Sequence, residues 1–222
     1  MESEQSDFSD AQKVLLNYSV YSALGGALSA VILALCATML WDGFDWFRRT
    51  FSNLASPAQI YSAPVMSASF IVAGAFTFPM GFFLFRYAAP KATLSGKIAA
   101  YSFLPGSLAL IFVAMFTDLK PTLHLHRALA GIFILSTAIH ALGSAIAWYG
   151  HPRTRTLSRI NLALFFLLIA AWTIKSLLGW NDAIPEFITM CVATAMIATL
   201  SRALLRFGGF PAGAIKKGKE VA

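Results

Sequence analysis

The chain has 222 residues, of which 58% are hydrophobic and only 12% are charged. A soluble domain has about 25% charged residues on average, so this chain has too few charges to cover a water-exposed surface. The formal charge of +7 does not indicate a nucleic-acid-binding module, because such a module needs a basic face on a folded surface. The composition excludes a soluble globule and a disordered tail, and it predicts a protein of the lipid bilayer.

The first 17 residues form an acidic segment before the first apolar run. Four carboxylates precede the first basic residue, Lys13, whereas a secretory signal peptide begins with a basic segment. We therefore expect the first apolar run to be retained rather than cleaved. Residues 1–17 are predicted to form an acidic cytoplasmic tail.

Six apolar runs are each long enough to cross a bilayer. A hydrocarbon core about 30 Å thick takes about 20 helical residues, and no backbone polar group can stay unpaired within it. The breaks between the runs contain Pro, Gly, Asn, Asp or clustered charge. The sequence predicts an all-α membrane domain over residues 18–205 with six transmembrane helices, at 18–41, 60–85, 98–116, 125–149, 160–180 and 184–205.

The basic residues indicate how the six helices are oriented. Lys and Arg in short loops are retained in the cytoplasm, so the side with more of them is predicted to be cytoplasmic. One side holds twelve: Lys13, Arg86, Lys91, Lys97, Arg153, Arg155, Arg159, Arg202, Arg206, Lys216, Lys217 and Lys219. The other side holds four: Arg48, Arg49, Lys120 and Arg127. Both termini are therefore predicted to be cytoplasmic, with residues 206–222 as a basic tail.

The first outer loop contains a helical pattern. Its apolar residues Phe44, Phe47, Phe51 and Leu54 recur at intervals of three or four, with polar residues between them. Two tryptophans in the same loop are typical of the depth at which lipid head groups lie. The sequence predicts a short helix in the outer interface, although an ordinary aromatic belt would also explain these residues.

Small residues and prolines within the spans predict close packing and local kinks. Ser22, Gly26 and Ala30 repeat every four residues in the first span, and small residues let membrane helices approach closely. Pro64 and Pro79 lie in the second span, where each removes a backbone donor. Pro105 lies in the third span, and we expect kinks or local unwinding at all three positions.

The most polar segment of the chain joins the third and fourth spans on the outer side. Its groups are candidates to converge on a lipid head group or a cation, together with outer-facing ionisable residues of other loops. These are Lys175, Asp182, Glu186, Asp42 and Asp45. Charge also collects wherever helices leave the membrane, and Lys175 can reach water by snorkelling. The candidate cluster is Asp118, Lys120, His124, His126, Arg127, Lys175 and Asp182.

Five cationic residues on the cytoplasmic side are candidates for contact with anionic lipids. Each base near a membrane surface adds about 1 kcal/mol of attraction to anionic head groups. The same residues also serve as topology signals, which is the plainer interpretation. They are Arg153, Arg155, Arg159, Lys216 and Lys217.

Two histidines of the fourth span share one helix face. His126 and His140 are 14 residues apart, which falls only about 40° short of whole turns. This spacing suits a helix that ligates two haems, so a haem-binding electron-transfer subunit is one alternative, although each iron would need another axial ligand from a different helix. A structural His140, hydrogen-bonded to Ser136, Thr137 or Ser144 about one turn away, is the other interpretation.

The sequence contains no strong motif for a metal, a nucleotide or nucleophilic catalysis. Cys36 and Cys191 lie in apolar runs, so neither a disulfide nor a paired-thiolate zinc site is predicted. Neither a G-x-S-x-G elbow nor a phosphate-binding glycine loop is present. No carboxylate lies deep in a span, which disfavours proton-coupled transport. We therefore predict no metal and no cofactor, and the sequence defines no catalytic residue.

Several segments, taken in order, resemble one known family. They are FSNLASP at 51–57, Gly74, residues 106–118, and His126 followed by Ala128, Ala130 and Phe133. They resemble the domain-of-unknown-function 998 family, six-span membrane proteins of bacteria and archaea related to the FRAG/DRAM-like group. The resemblance covers spans two to five and implies a compact six-helix bundle. It also implies that Asp118 and His126 are the polar marks of the pattern, whereas Ser62 stands where the family often has Asn.

The sequence favours a non-enzymatic protein of a bacterial or archaeal cell membrane. It fits an accessory subunit, packed against other membrane proteins or a second copy, and equally a lipid-binding or lipid-organising module. The resemblance points to lipids, because eukaryotic relatives of the wider group are linked to lipid-anchor remodelling, membrane lipid organisation and autophagy. The alternative is an enzyme acting on a lipid head group at the outer leaflet, with Asp118 and His126 as acid and base beside a phosphate-binding cation.

Overall fold

The computed structural model describes residues 8–116 and 123–210, and these contain seven α-helices and no β-strand. The helices are α1 (Asp10–Met39), α2 (Phe51–Leu54), α3 (Ser62–Phe83), α4 (Leu94–Met115), α5 (Leu123–Tyr149), α6 (Arg155–Leu178) and α7 (Ala183–Phe207). All except α2 belong to six segments that are long and apolar enough to cross a membrane. The predicted all-α fold with six transmembrane helices is therefore confirmed.

Consecutive long helices run antiparallel, so the bundle has two ends. The loop end carries the connections at 40–61 and 179–182, and the terminal end carries the start of α1 and the end of α7. Helix α6 lies at the periphery, because only 17% of its apolar window is buried, against 33–56% for the other spans. Which end faces the cytoplasm remains a prediction from the basic residues.

Helix α1 begins eight residues before the predicted span. Ser9 accepts a hydrogen bond from the backbone N–H of Gln12, and the Gln12 side chain accepts one from the N–H of Ser9. This reciprocal cap satisfies two donors that would otherwise be exposed. Phe8 just before it is buried against Phe83, with ring centroids 5.7 Å apart. A polar capped turn therefore extends the helix beyond its apolar run.

Close approach of α1 and α3 depends on small residues, as the four-residue repeat predicts. A Cβ added to Gly26 would overlap the Cβ of Phe76. At this short separation Ser22 donates to the carbonyl of Phe76 (2.8 Å) and Ser69 donates to the carbonyl of Ala30 (2.7 Å). These bonds give the two hydroxyls hydrogen-bond partners, which the hydrocarbon core of a membrane cannot provide.

The prolines of α3 behave differently from one another. Pro64 lies in the first turn of the helix, where no intrahelical N–H bond is lost, so the residue itself imposes no kink. Pro79 lies inside α3, and its carbonyl accepts a hydrogen bond from Ser19 (3.2 Å). The helix then continues through a π turn at 84–88 and a short 3₁₀ turn at 89–91. Local unwinding therefore follows Pro79 and not Pro64. Pro105 lies inside α4, which continues as an α-helix on both sides of it.

The helix predicted in the first outer loop is present, but it is confined to the four residues of α2. The side chain of Asp45 accepts hydrogen bonds from the backbone N–H groups of Phe47 (2.8 Å) and Arg48 (3.2 Å). A side chain that bonds nearby backbone in this way stabilises turns at the expense of helix. The apolar spacing from Phe44 onward therefore forms a packed loop, and the helix begins only after Thr50.

Candidate functional site

A buried serine–histidine contact lies at the loop end of the bundle. His126, in the first turn of α5, has its Nε2 atom 2.7 Å from Oγ of Ser52 and its Nδ1 atom 2.6 Å from the backbone carbonyl of Phe116. Both side chains are buried, with 4% of His126 and 8% of Ser52 exposed. A carbonyl oxygen only accepts hydrogen bonds, so Nδ1 must be the protonated nitrogen. In the neutral imidazole, Nε2 therefore accepts the hydroxyl proton of Ser52.

Helix α2 holds Ser52 in place through two sets of hydrogen bonds at the N-terminal end of the helix. The hydroxyl of Thr50 accepts from the N–H of Asn53, and the Asn53 side chain accepts from the N–H of Thr50, each at 3.1 Å. The carboxylate of Glu186, in the first turn of α7, accepts from the N–H of Phe51 at 2.7 Å. Ser52 is thus positioned by bonds to α2 itself and to a distant helix.

The first outer loop and the α6–α7 connection cover the loop end together. The N–H of Asn181 donates to the carbonyl of Phe47 (3.0 Å), and the N–H of Ala183 donates to the carbonyl of Arg49 (3.2 Å). Below these bonds the ring of Phe51 stacks on Phe187 at 5.8 Å. Backbone pairing on top and aromatic packing beneath make this cover part of the folded core.

A cavity of about 40 Å³ opens beside the serine–histidine contact. Its polar lining consists of Ser52, His126, Glu186 and Thr189, and the remaining walls are apolar. The hydroxyl of Thr189 donates to the carbonyl of Pro185 (2.7 Å). A water molecule needs about 10–15 Å³ and two to four polar partners, so the site has room for water or for part of an amphipathic ligand.

A second cavity of about 60 Å³ lies deeper in the bundle. It shares four lining residues with the first: Phe70, Leu110, Phe133 and Met190. Its walls are apolar apart from a few hydroxyls and His140. The two spaces are therefore neighbours. One has a polar end beneath the loops, and the other lies midway along the helices of the bundle.

His140 lines the deeper cavity, and its hydrogen-bond partner is not the one that the sequence predicted. Its Nδ1 atom lies 2.9 Å from the carbonyl of Ala99 on α4, instead of bonding Ser136, Thr137 or Ser144. The hydroxyl of Thr137 donates to the carbonyl of Phe133 one turn back. The buried Nε2 atom of His140 has no hydrogen-bond partner in the part of the chain that is described.

The structure divides the predicted outer cluster. Lys175 forms an ion pair with Asp182 at 2.7 Å, whereas His126 contacts Ser52 and Phe116 in the bundle. His124 and Arg127 are exposed on α5. Asp118 and Lys120, also predicted for this cluster, lie outside the described residues.

The predicted anionic-lipid contacts lie at the terminal end as far as they are described. Arg153, Arg155 and Arg159 are exposed there, around the start of α6. Lys216 and Lys217 fall outside the described residues. A role for these five residues in lipid contact stays a prediction.

The geometry does not suit a haem between the two histidines of α5. Both nitrogens of His126 are engaged, so ligation by this residue would break a contact with Ser52 or Phe116. Within residues 8–116 and 123–210 no group of three or more His, Cys, Asp or Glu side chains is arranged to hold a metal ion. Cys36 and Cys191 are free thiols.

Sequence reasoning missed Ser52 as a site residue, and it named Glu186 only among the outer ionisable groups, with no link to Phe51. Ser52 is 74 positions from His126, and Glu186 is 135 positions from Phe51, so no local pattern joins them. The one available signal was the FSNL segment at 51–54, which stood out only as part of the family resemblance.

Six apolar spans around a buried polar contact define a multi-pass α-helical membrane protein. The family described as "Protein of unknown function (DUF998)" matches residues 24–203. The match covers most of the chain, so the protein belongs to this family, as the resemblance implied. No curated protein and no solved structure matches the chain.

Proposed function

We propose that the protein is a lipid-binding membrane module whose bundle accommodates part of an amphipathic lipid. The observation that carries the proposal is the pair of neighbouring cavities, of about 40 and 60 Å³. The first is lined by Ser52, His126 and Glu186, and the second has mainly apolar walls. A lipid has a polar head followed by an apolar chain, and the two cavities have a polar lining followed by an apolar lining.

The affinity for such a lipid depends chiefly on its polar end. Lipid tails are as apolar as the cavity walls, so no hydrophobic gain draws a chain from the bilayer into the bundle. Van der Waals contacts along the chain and hydrogen bonds at the head must supply the free energy of binding. The carboxylate of Glu186 accepts from Phe51 and can accept more than one donor. We therefore expect a head group that carries a hydroxyl or an amide.

The orientation predicted from the basic residues would give the site a definite leaflet. If the terminal end is cytoplasmic, Ser52 and His126 lie at the depth of the outer head groups. Arg153, Arg155 and Arg159 would then face anionic lipids of the inner leaflet, where each base adds about 1 kcal/mol of attraction. We propose the cell membrane of a bacterium or archaeon as the location, in keeping with the family resemblance.

An accessory-subunit role is the second candidate, and the exposure of α6 favours it. Only 17% of the apolar window of this helix is buried. Its exposed residues include Phe166, Leu167, Leu177 and Leu178. Such a face contacts lipid or another membrane helix equally well, and a stoichiometric partner in gently purified material would identify the second case.

Lipid retention by a cavity-filling variant tests the leading proposal. Ala73 lines the deeper cavity, and Ala75 on the same helix is exposed to lipid. We expect native mass spectrometry of the gently extracted wild type to show bound lipid. Ala73→Leu should lose most of that lipid because its side chain fills the cavity, and Ala75→Leu should retain it. A wild-type protein without lipid, or equal retention by both variants, would contradict the proposal.

A further inference from the structure

We propose that Ser52 and His126 are the nucleophile and the base of an acyl-transfer site whose substrate is an ester-linked lipid. This inference rests on the proposed function, because the cavities that bind the lipid would bring its ester to Ser52. Like the alternative considered from the sequence, it makes the protein an enzyme that acts on a lipid, but with a different pair of residues. The earlier alternative used Asp118 with His126, whereas the new pair is defined by a direct contact.

The geometry of the contact is that of an activated hydroxyl. An activated serine has its hydroxyl within about 2.6–3.2 Å of a base that is itself oriented by a third group. Here Oγ of Ser52 is 2.7 Å from Nε2 of His126, and the carbonyl of Phe116 is 2.6 Å from Nδ1. The carbonyl fixes the tautomer that leaves Nε2 free to accept a proton, which is the role of the carboxylate in the better-known triads. Phe116 thus acts as a positioning residue through its backbone.

Access distinguishes this pair from a hydrogen bond that only joins two helices. Ser52 and His126 both line the smaller cavity, so an ester group bound in that cavity would lie beside the hydroxyl. Glu186 lines the same cavity. Its side chain accepts a hydrogen bond from the N–H of Phe51, the residue before Ser52.

The first half of the reaction transfers the acyl group to Ser52. Oγ of Ser52 forms a bond to the ester carbonyl carbon, and its proton passes to Nε2 of His126. The bond between that carbon and the leaving oxygen then breaks, and the same proton passes to the leaving alcohol. The products are an acyl-serine and a lipid alcohol, and no electrons are transferred to an outside acceptor.

The second half releases the acyl group to another hydroxyl. The acceptor is water or the alcohol of a second lipid, which share this chemistry. Nε2 of His126 removes the proton of the acceptor as its oxygen attacks the acyl-serine, and the proton then returns to Oγ of Ser52. Water yields a free fatty acid, and a lipid alcohol yields a new ester.

Labelling with an alkyl fluorophosphonate tests the nucleophile in the purified full chain. This probe reacts with activated serine hydroxyls, displacing fluoride. We expect one adduct on the wild type by intact mass, located at Ser52, and none on Ser52→Ala. His126→Asn should label at least about 100-fold more slowly, since general-base catalysis contributes about 10²–10⁴-fold. Ser56→Ala, a control in the same loop, should label like the wild type.

Measurements of substrate turnover and of bound lipid distinguish a failure of the acyl-transfer inference from a failure of the lipid-binding proposal. Incubation of the labelling-competent protein with a synthetic diacyl lipid should release fatty acid, or a new ester if a lipid alcohol is added. A wild type that retains lipid but neither labels nor turns over ester would overturn this inference and leave lipid binding standing. A wild type without lipid would overturn the proposed function itself. Labelling that persists in Ser52→Ala would also refute the assignment.

Discussion

Replacement of Gly74 tests the helix packing that shapes both cavities. A Cβ on Gly74 would lie 2.6 Å from the carbonyl oxygen of Ser107 and 2.9 Å from the backbone nitrogen of Ile111. Ordinary contact begins at 3.4 Å, so Gly74→Ala forces α3 and α4 apart by about 0.8 Å, and no rotamer change relieves a clash with backbone. Overpacking of this kind costs about 1–3 kcal/mol.

The separation should also lengthen a hydrogen bond between the two helices. Thr77 donates to Ser107 at 3.0 Å, and such a bond in a membrane protein contributes about 0.6 kcal/mol. Gly131→Ala is the matched control, because nothing lies within 4 Å of its added Cβ. Both variants gain the same helix propensity from alanine, so this term cancels when they are compared. The difference in the free energy of unfolding is about 2–4 kcal/mol.

Thermal unfolding in detergent, followed by size-exclusion chromatography, measures this difference. For a chain of this length 1 kcal/mol corresponds to about 2–4 °C in Tm, so Gly74→Ala should unfold roughly 5–15 °C below Gly131→Ala. The two variants carry the same Gly-to-Ala change, so the substitution itself alters charge and side-chain hydrophobicity equally in both. Equal Tm values would refute the close approach of α3 and α4 on which the cavity walls depend.

Two further predictions concern the loop end. Thr50→Ala removes the side-chain cap of α2, which should lower the free energy of unfolding by about 1 kcal/mol and speed amide hydrogen exchange at 44–54. The control is Thr38→Ala, which removes a hydroxyl bonded to its own helix and should leave that exchange unchanged. The second prediction uses a variant in which Cys36 and Cys191 are replaced by alanine. In this background, Asp42→Cys should react with a membrane-impermeant maleimide on intact cells and Arg153→Cys should not, because the basic residues predict that the terminal end is cytoplasmic. The reverse labelling pattern would mean that the site faces the cytoplasm.

The membrane spans were predictable because their signal is local. About 20 consecutive apolar residues are enough to identify each span, and all six predicted segments overlap helices of the bundle. The predicted helix bounds are wrong where a polar side chain forms a hydrogen bond with nearby backbone. The Ser9 and Gln12 cap extends α1 beyond its apolar run, and Asp45 replaces the expected helix by turns.

The candidate site was only partly predictable, because its contacts join distant segments. His126 was selected from the sequence as a polar residue at a helix start, but its partner Ser52 lies in another loop. His140 was expected to bond within its own helix, yet the carbonyl of Ala99 on α4 is its partner. Such pairings depend on how the helices pack, and a periodic pattern within one segment carries no information about them.

Photo-crosslinking with a diazirine-bearing lipid tests most directly whether lipid enters the bundle. After reconstitution in vesicles and irradiation, mass spectrometry of peptides locates each adduct. We predict adducts at residues that line the cavities, such as Met190 and Thr194, and that excess unmodified lipid suppresses them. Adducts confined to lipid-facing residues such as Ile71 and Phe166, with none in the cavities, would contradict the central claim that the protein holds a lipid within its helices.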